Sequence, residues 1–203
     1  MPVQQGRDEQ TSQFYSKTAE SYVASGSVGS SRLLQAFMDM LPAGSRVLEL
    51  GCGGGRDAQA MIAAGFDVDA TDGTPEIALQ AEAFLKRKVR VMRFDELADF
   101  STYDAVWANA SLLHVPRPSL PFILAKVHAA LKPGGLHFAS YKAGGQEGRD
   151  SYGRYFNYPS AQDAAEMYGK SAPWKILRVD EFEGGGYQGT RGPWISVLAR
   201  RVV

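Results

Sequence analysis

The chain has 203 residues, 44% hydrophobic and 22% charged, which suits a single domain over residues 1–203 with a sizeable core. Its 22 Lys and Arg balance 22 Asp and Glu, so it lacks the basic excess expected of a protein that lives on a nucleic-acid backbone. A lone cysteine, Cys52, excludes an intrachain disulfide and a Cys-rich zinc site. His114, His128 and His137 have no metal-ligand spacing, so no metal is expected. No stretch of about 18 apolar residues is present, and Arg7-Asp8-Glu9 does not read as part of a signal peptide. The expectation is a cytoplasmic protein that engages neither membrane nor nucleic acid.

Residues 1–10 are polar and read as frayed. Thr11 to Ala24 is weakly amphipathic, with Phe14, Tyr15, Ala19, Tyr22 and Val23 on one side, and Ser25-Gly26-Ser27 breaks it. Ser30 or Ser31 is placed to cap a helix reaching Leu41, with Leu33, Leu34, Phe37, Met38 and Leu41 at helical spacing. A strand–helix rhythm follows. Arg46–Leu50 predicts a strand, Asp57–Ala64 a helix stopped by Gly65, and Phe66–Thr71 a second strand. Pro75 opens a helix reaching Lys86, before a strand at Val89–Phe94 and another at Tyr103–Ala108. Leu120–Leu131 predicts a helix ended by Pro133-Gly134-Gly135, and Leu136–Tyr141 a fifth strand. Such alternation argues for a parallel sheet covered on both faces. Beyond a helix at Ser160–Tyr168, Trp174–Phe182 and Trp194–Arg200 predict two strands. Too little chain separates them for a crossover helix, so they should pair antiparallel.

In a doubly wound sheet, ligands bind beyond the carboxyl ends of the strands. Gly51-Cys52-Gly53-Gly54-Gly55 directly follows Val47-Leu48-Glu49-Leu50 and lets a ligand approach the backbone. Asp72, at the tip of the second strand, is placed to accept hydrogen bonds from both hydroxyls of a ribose, whereas its rival Asp69 lies mid-strand. The two signals together indicate an adenosine-containing cofactor. A shifted frame, Gly53-x-Gly55-x-x-Ala58, also satisfies the looser dinucleotide pattern, so an NAD(P)-dependent oxidoreductase stays open at this point.

Val47 to Gly55 resembles the first motif of class I S-adenosylmethionine-dependent methyltransferases, and Asp72-Gly73-Thr74-Pro75-Glu76 resembles their second. Tyr103-Asp104-Ala105-Val106 through Leu112-Leu113-His114-Val115 is similar to their fourth-strand motif, and Leu131 to Leu136 to their turn before the fifth strand. Tyr15, Ala19 and Tyr22 match the N-terminal helix pattern of many small-molecule members. Leu-Leu-His-Val and Arg154-Tyr155-Phe156-Asn157-Tyr158 resemble the tellurite-resistance-like and related branches. The resemblance implies an α/β, three-layer, doubly wound, mainly parallel seven-stranded sheet with its last strand antiparallel, helices on both faces and a short N-terminal helical cap. It implies S-adenosylmethionine as cofactor and transfer of its methyl group to a small molecule. The Asn-Pro-Pro-Tyr pattern of nucleic-acid amino methyltransferases is absent, replaced by Asn109-Ala110-Ser111-Leu112.

Roles follow from the same resemblance. Gly51, Cys52, Gly53 and Gly55 belong to the cofactor loop, with Glu49 supporting it from behind. Asp72 should hold the ribose, Gly73 and Thr74 should lie beside the adenine, and Phe94 and Asp95 should flank it. Ala108 and Asn109 should lie under the methionine chain, while Tyr15, Tyr22 and Arg32 close the site from a cap spanning residues 1–30. Residues 141–160, glycine-rich and then dense in aromatics and arginine, read as a substrate lid. There Arg149 or Arg154 is the candidate to meet an acidic or polar acceptor, and His114 is the candidate general base. A cofactor-binding scaffold without catalysis is the remaining alternative, and a monomer and a homodimer are equally compatible with the sequence.

Overall fold

A computed structural model describes residues 6–25 and 29–202. Strands β1 (Arg46–Leu50), β2 (Asp67–Asp72), β3 (Arg90–Val91), β4 (Tyr103–Ala108), β5 (Leu131–Lys142), β8 (Trp174–Gly185) and β9 (Arg191–Arg201) form one sheet of order β3-β2-β1-β4-β5-β9-β8. Every pair on the β3-to-β5 side is parallel, and β9 runs antiparallel to both neighbours. The short hairpin β6 (Gly148–Arg149) and β7 (Tyr155–Phe156) stands apart from it.

Alternation along the strands builds two cores. Val47, Ala105, Trp107, Leu136, Phe138 and Leu198 meet Leu34 and Phe37 of α2 (Leu34–Met38) and Met61 of α3 (Arg56–Ala63). On the same side, Ala58 and Ala70 continue onto Ala78 and Ala81 of α4 (Pro75–Leu85). The opposite core joins Leu48, Leu50, Val106, Ala139 and Tyr141 to α5 (Leu120–Ala130) and α6 (Ala161–Ser171). The expected three layers and the antiparallel last strand are present.

Several boundaries differ from the sequence expectation, each for a local reason. The third strand shrinks to two residues because Phe94 opens a 3-10 turn, where the Glu96 carboxylate takes the Arg93 N–H at 2.8 Å. Neither Ser30 nor Ser31 caps α2. The Ser31 N–H is bound to the Asp57 carboxylate at 2.6 Å, and the helix starts later, at Leu34, without a side-chain cap. Pro133-Gly134-Gly135 is not a turn before β5 but an irregularity within it: Leu131 already pairs with Tyr103, and Leu136 resumes at Ala105. Gly6 is buried against Asp95 and Ile123, and α1 (Glu9–Ser25) begins before Thr11, so the frayed reading does not hold from residue 6 onward. Residues 1–5, and positions 26–28 of the expected break and cap, lie outside the described residues.

The placement of α1 matters most for the site. It packs across α4 and over the glycine loop, where a Cβ on Gly54 would meet Val23 Cγ1 at 2.9 Å. Arg56 donates to the Val23 carbonyl at 3.0 Å, and the Tyr155 N–H donates to Thr11 Oγ1 at 2.8 Å. One helix is thus fastened to both the cofactor loop and the 148–156 hairpin.

Candidate active site

A cleft opens over the carboxyl ends of β1, β2, β4 and β5, where the chain reverses direction across the sheet. It has two lobes that share Tyr15, Tyr22, Gly51, Gly53, Ala110 and His114 in their walls. The first lobe, about 740 Å³ and open to solvent, is lined by Asp72, Gly73, Thr74, Ile77, Arg93, Phe94 and Ser111. The second and larger lobe is bounded by Arg32, Glu49, Cys52, Asp57, Asn109, Ser140, Lys142, Arg154, Phe156, Phe182 and Trp194, among others.

The glycine loop takes conformations that side chains resist. Gly51, Gly53 and Gly55 all have positive φ (76°, 54° and 83°). Gly51 is also crowded, since a Cβ there would sit 2.6 Å from Ser111 Cβ, whereas nothing lies within 4 Å of the same position on Gly53. The Gly51 face is therefore closed by protein, and the Gly53 face is open space beside the cleft. Gly55 starts α3 against Leu85 and Ala108 is fully buried in the core, so neither is part of the lining.

Asp72 is buried at the tip of β2. Its two oxygens accept the N–H of Thr74 at 2.9 Å and of Gly53 at 3.1 Å. Burial outweighs both bonds and pushes its pKa up to about 6. Asp69 is spent elsewhere, taking the Tyr103 hydroxyl at 2.6 Å and Arg90 at 3.0 Å. Glu49 faces the larger lobe with Oε2 buried and without a partner, and burial raises its pKa well above the usual range. Asp57 receives the Trp107 indole N–H at 2.8 Å and the Ser31 N–H. Asn109 accepts the Ser140 hydroxyl at 2.7 Å.

Where the lobes meet, a polar chain crosses from α1 to β7. Nδ1 of His114 lies 2.6 Å from the Tyr155 carbonyl, which can only accept, so Nδ1 carries the proton. Nε2 then accepts from the Tyr15 hydroxyl at 2.8 Å, and Arg154 donates to that hydroxyl at 3.4 Å. Burial, with the Arg154 and Lys142 charges, lowers the His114 pKa to about 4, so the ring is neutral at physiological pH. Arg154 is buried, doubly bound to Asp150 at 2.9 and 2.7 Å, and ringed by Phe14, Tyr15, Tyr152, Phe156 and Tyr187.

Not every expected residue reaches the cleft. Arg149 grips Asp8 at 2.6 and 2.8 Å and the Gly153 carbonyl, and is not part of the lining. Asp95 pairs with Arg93 and abuts Gly6, leaving only Phe94 in the wall. Arg32 lines the larger lobe from its exposed side, lying over Phe182 at 4.5 Å and donating to the Glu183 carbonyl. Sequence reasoning missed Asp57, Ser111, Ser140 and Trp194, and held Lys142 only as one residue of the 141–160 segment. Asp57 directly follows the glycine loop and was legible as a first-turn acid; the others depend on strand register.

The residues fit an S-adenosyl group. The buried Asp72 carboxylate in the cleft wall suits a diol, an unpartnered buried carboxyl oxygen on Glu49 suits an ammonium, and Gly53 leaves its face of the loop clear.

Comparison with known proteins agrees. Residues 47–135 match a family described as a methyltransferase domain. A ubiquinone biosynthesis O-methyltransferase from Xanthomonas axonopodis pv. citri is 38% identical over 106 residues, 49% of this chain and 44% of that protein. The chain therefore spans less than half the length of the curated relatives it matches. Among solved structures, an S-adenosylmethionine-dependent methyltransferase from Methanosarcina mazei superposes with a TM-score of 0.76 at 15% identity, covering 87% of this chain and all of that one. A Burkholderia thailandensis 1,6-didemethyltoxoflavin N1-methyltransferase, solved with S-adenosylhomocysteine, gives 0.65 at 20% identity over 93% and 80% of the two chains. The [4+2]-cyclase SpnF gives 0.74 at 17% identity over 98% and 97%, so the same fold hosts other chemistry. The chain has the class I methyltransferase fold, with a cleft at its switch point. Its likeness to methyltransferases is carried by residues 47–135 and by the fold. No described helix is long and apolar enough to cross a membrane.

Proposed function

We propose that this chain binds S-adenosylmethionine in the cleft and transfers its methyl group to a small molecule held in the larger lobe. The observation that carries this reading is the Asp72 carboxylate, buried in the wall of the first lobe and fixed by Gly53 and Thr74. Asp72 takes the ribose hydroxyls, with Thr74, Ile77 and Phe94 against the adenine. Glu49 and Asp57, on the larger lobe, take the ammonium of the methionine chain. Arg32 and the Tyr15–Tyr22 pair close over them from the N-terminal side.

When bound, the cofactor supplies a methyl group activated by a positive sulfur, so the protein mainly has to align an acceptor and exclude water. Tyr15, Tyr22 and the ring cluster around Arg154 exclude water where the lobes meet. His114, neutral and held by Tyr155 and Tyr15, orients an acceptor through Nε2 once Tyr15 yields. With a pKa near 4 it is too weak a base to deprotonate an ordinary alcohol at neutral pH. Residues 141–160 act as the wall of the acceptor lobe, with Arg154 rather than Arg149 turned toward it.

Calorimetric titration with S-adenosylhomocysteine and with NAD tests the reading. Saturable binding of the first and none of the second is expected, followed by release of S-adenosylhomocysteine in an acceptor screen. Binding of NAD alone would overturn it. Tight S-adenosylhomocysteine binding with no turnover on any acceptor would favour a non-catalytic scaffold.

A further inference from the structure

Lys142 closes β5, and the register seats it opposite Trp194 of β9, which in turn sits opposite Phe182 of β8. Cross-strand partners share a face, so one ammonium and two aromatic rings form a row along the larger lobe. The Phe182 and Trp194 rings are nearly parallel, 15° apart, and Lys142 Nζ lies 4.3 Å from the centre of Phe156. The hairpin tip is cleared to make room. A side chain on Gly184 would run into the Trp194 indole, and a Cβ on Gly186 would stand 3.1 Å from Lys142 Nζ.

Lys142 Nζ has no hydrogen-bond or ion-pair partner among the described residues. Asp150, the carboxylate whose field reaches it, is bound through one oxygen to two nitrogens of Arg154. Of the other acids in the lobe, burial pushes the Glu49 carboxyl well above the usual range, Asp57 is held by Ser31 and Trp107, and Glu183 is exposed. Half-buried beside a guanidinium, the ammonium has its pKa pulled below the usual lysine value. Such a charge gains strongly from an anion that supplies the missing partner.

We propose that the acceptor is a planar carboxylic acid whose carboxylate pairs with Lys142 and whose ring lies against Trp194 and Phe156. This rests on the methyl-transfer reading for what occupies the neighbouring lobe. The lysine supplies both binding energy and orientation, and an uncharged analogue leaves it unpaired. A preference of about 10–100-fold for the charged ligand is expected from one charge-assisted bond.

The test uses benzoate and benzamide as probes, titrated by ligand-observed NMR against the full chain with and without saturating S-adenosylhomocysteine. Wild type should bind benzoate at least tenfold more tightly, Lys142→Met should erase the preference, and Lys142→Arg should keep most of it. Calorimetry should find S-adenosylhomocysteine affinity within twofold of wild type in Lys142→Met. Equal binding of the two probes to wild type overturns the proposal, even if Lys142→Met fails to fold. So does a loss of S-adenosylhomocysteine affinity matching the loss of benzoate, which would assign the lysine to the cofactor's own carboxylate. Failure of wild type to bind S-adenosylhomocysteine at all would instead remove the methyl-transfer reading, and the probe preference measured without it still decides the lysine's role.

Discussion

The two lobes are built differently. Beneath the N-terminal segment, the first lobe, proposed for adenosine, is assembled from short stretches of chain: Gly51 and Gly53 after β1, residues 72–77 after β2, and 93–94 after β3. Its central polar group, Asp72, is fixed by the backbone N–H groups of Gly53 and Thr74 at the strand ends. The acceptor lobe gathers side chains from α1, β5, β7 and both long C-terminal strands, and it concentrates cations among aromatic rings. One lobe is a backbone device that tolerates little variation. The other is a side-chain device that can be re-tuned without changing the fold. The difference makes distinct predictions about what breaks each.

The largest effect is expected in the acceptor lobe, at Arg154. The Arg154–Asp150 pair is almost sealed, with side-chain exposures of 5% and 17%, and removing one partner strands the other. Breaking such a pair costs about 3–5 kcal/mol. Arg154→Ala should therefore lower the thermal midpoint by roughly 10 °C, while Arg154→Lys recovers part of it. A fall of only a degree or two would mean that Asp150 is solvated and the lobe is looser than the geometry indicates.

Next comes Gly51, the test of backbone design in the adenosine lobe. Alanine there meets two separate obstacles, a φ of 76° and the contact with Ser111. The left-handed conformation costs about 1–2 kcal/mol and overpacking about 1–3 kcal/mol. Gly51→Ala should lose the sum in urea unfolding, and adding Ser111→Gly should recover only the overpacking share. Full recovery would show that the conformation itself carries no strain.

Asp72 follows. Asp72→Asn should weaken S-adenosylhomocysteine binding by about 10–100-fold, the value of a hydrogen-bonded charge. The pH dependence has a definite sign. A carboxylate raised to about 6 is charged above that pH, and ribose hydroxyls donate to the charged form. Affinity should be flat above pH 7 and fall as pH drops through about 6, approaching tenfold per unit, with the asparagine variant showing no such fall. The same raised pKa means that stability from this group is present below about 3.8 and lost as pH rises through about 6. The apo protein therefore carries this cost at the pH where it binds best.

The contrast between the lobes also explains what could be read from the sequence. β1, its glycines, β2 and Asp72 form one local pattern in which period, breaker residues and a strand-tip acid sit within a few turns of chain. Asp72 was separable from Asp69 by strand position alone, and Asp69 indeed spends its charge on Tyr103 and Arg90. Lys142 and Trp194 become neighbours only through the β5–β9 register, a long-range pairing that no local pattern encodes. The two-residue β3 was overread because Val89 to Phe94 is apolar enough for a strand, while the turn at Phe94 depends on a side-chain bond from Glu96. Arg149 and Arg154 share one loop and one composition; only the β6–β7 hairpin turns one outward and the other in.

The smallest effect is expected at Arg149, and it discriminates most sharply between a lid that reads substrate and a latch that holds α1. The guanidinium is committed to Asp8 and to the Gly153 carbonyl. Its side chain is 40% exposed, so solvent screens the pair and the effect on stability is small. The partnership holds Asp8 down to a pKa of about 2. A carboxylate depressed in this way stabilises the fold above about pH 3.8, and that contribution disappears as pH falls through about 2. The difference in stability between wild type and Arg149→Ala should therefore be small but measurable at pH 6 and vanish near pH 2. Acceptor KM should be unchanged, because this arginine does not line the acceptor lobe. A severalfold rise in acceptor KM would show instead that the β6–β7 hairpin swings inward during turnover and carries Arg149 into the lobe. Arg149 would then be a substrate contact in the closed enzyme and a latch only in the arrangement seen here.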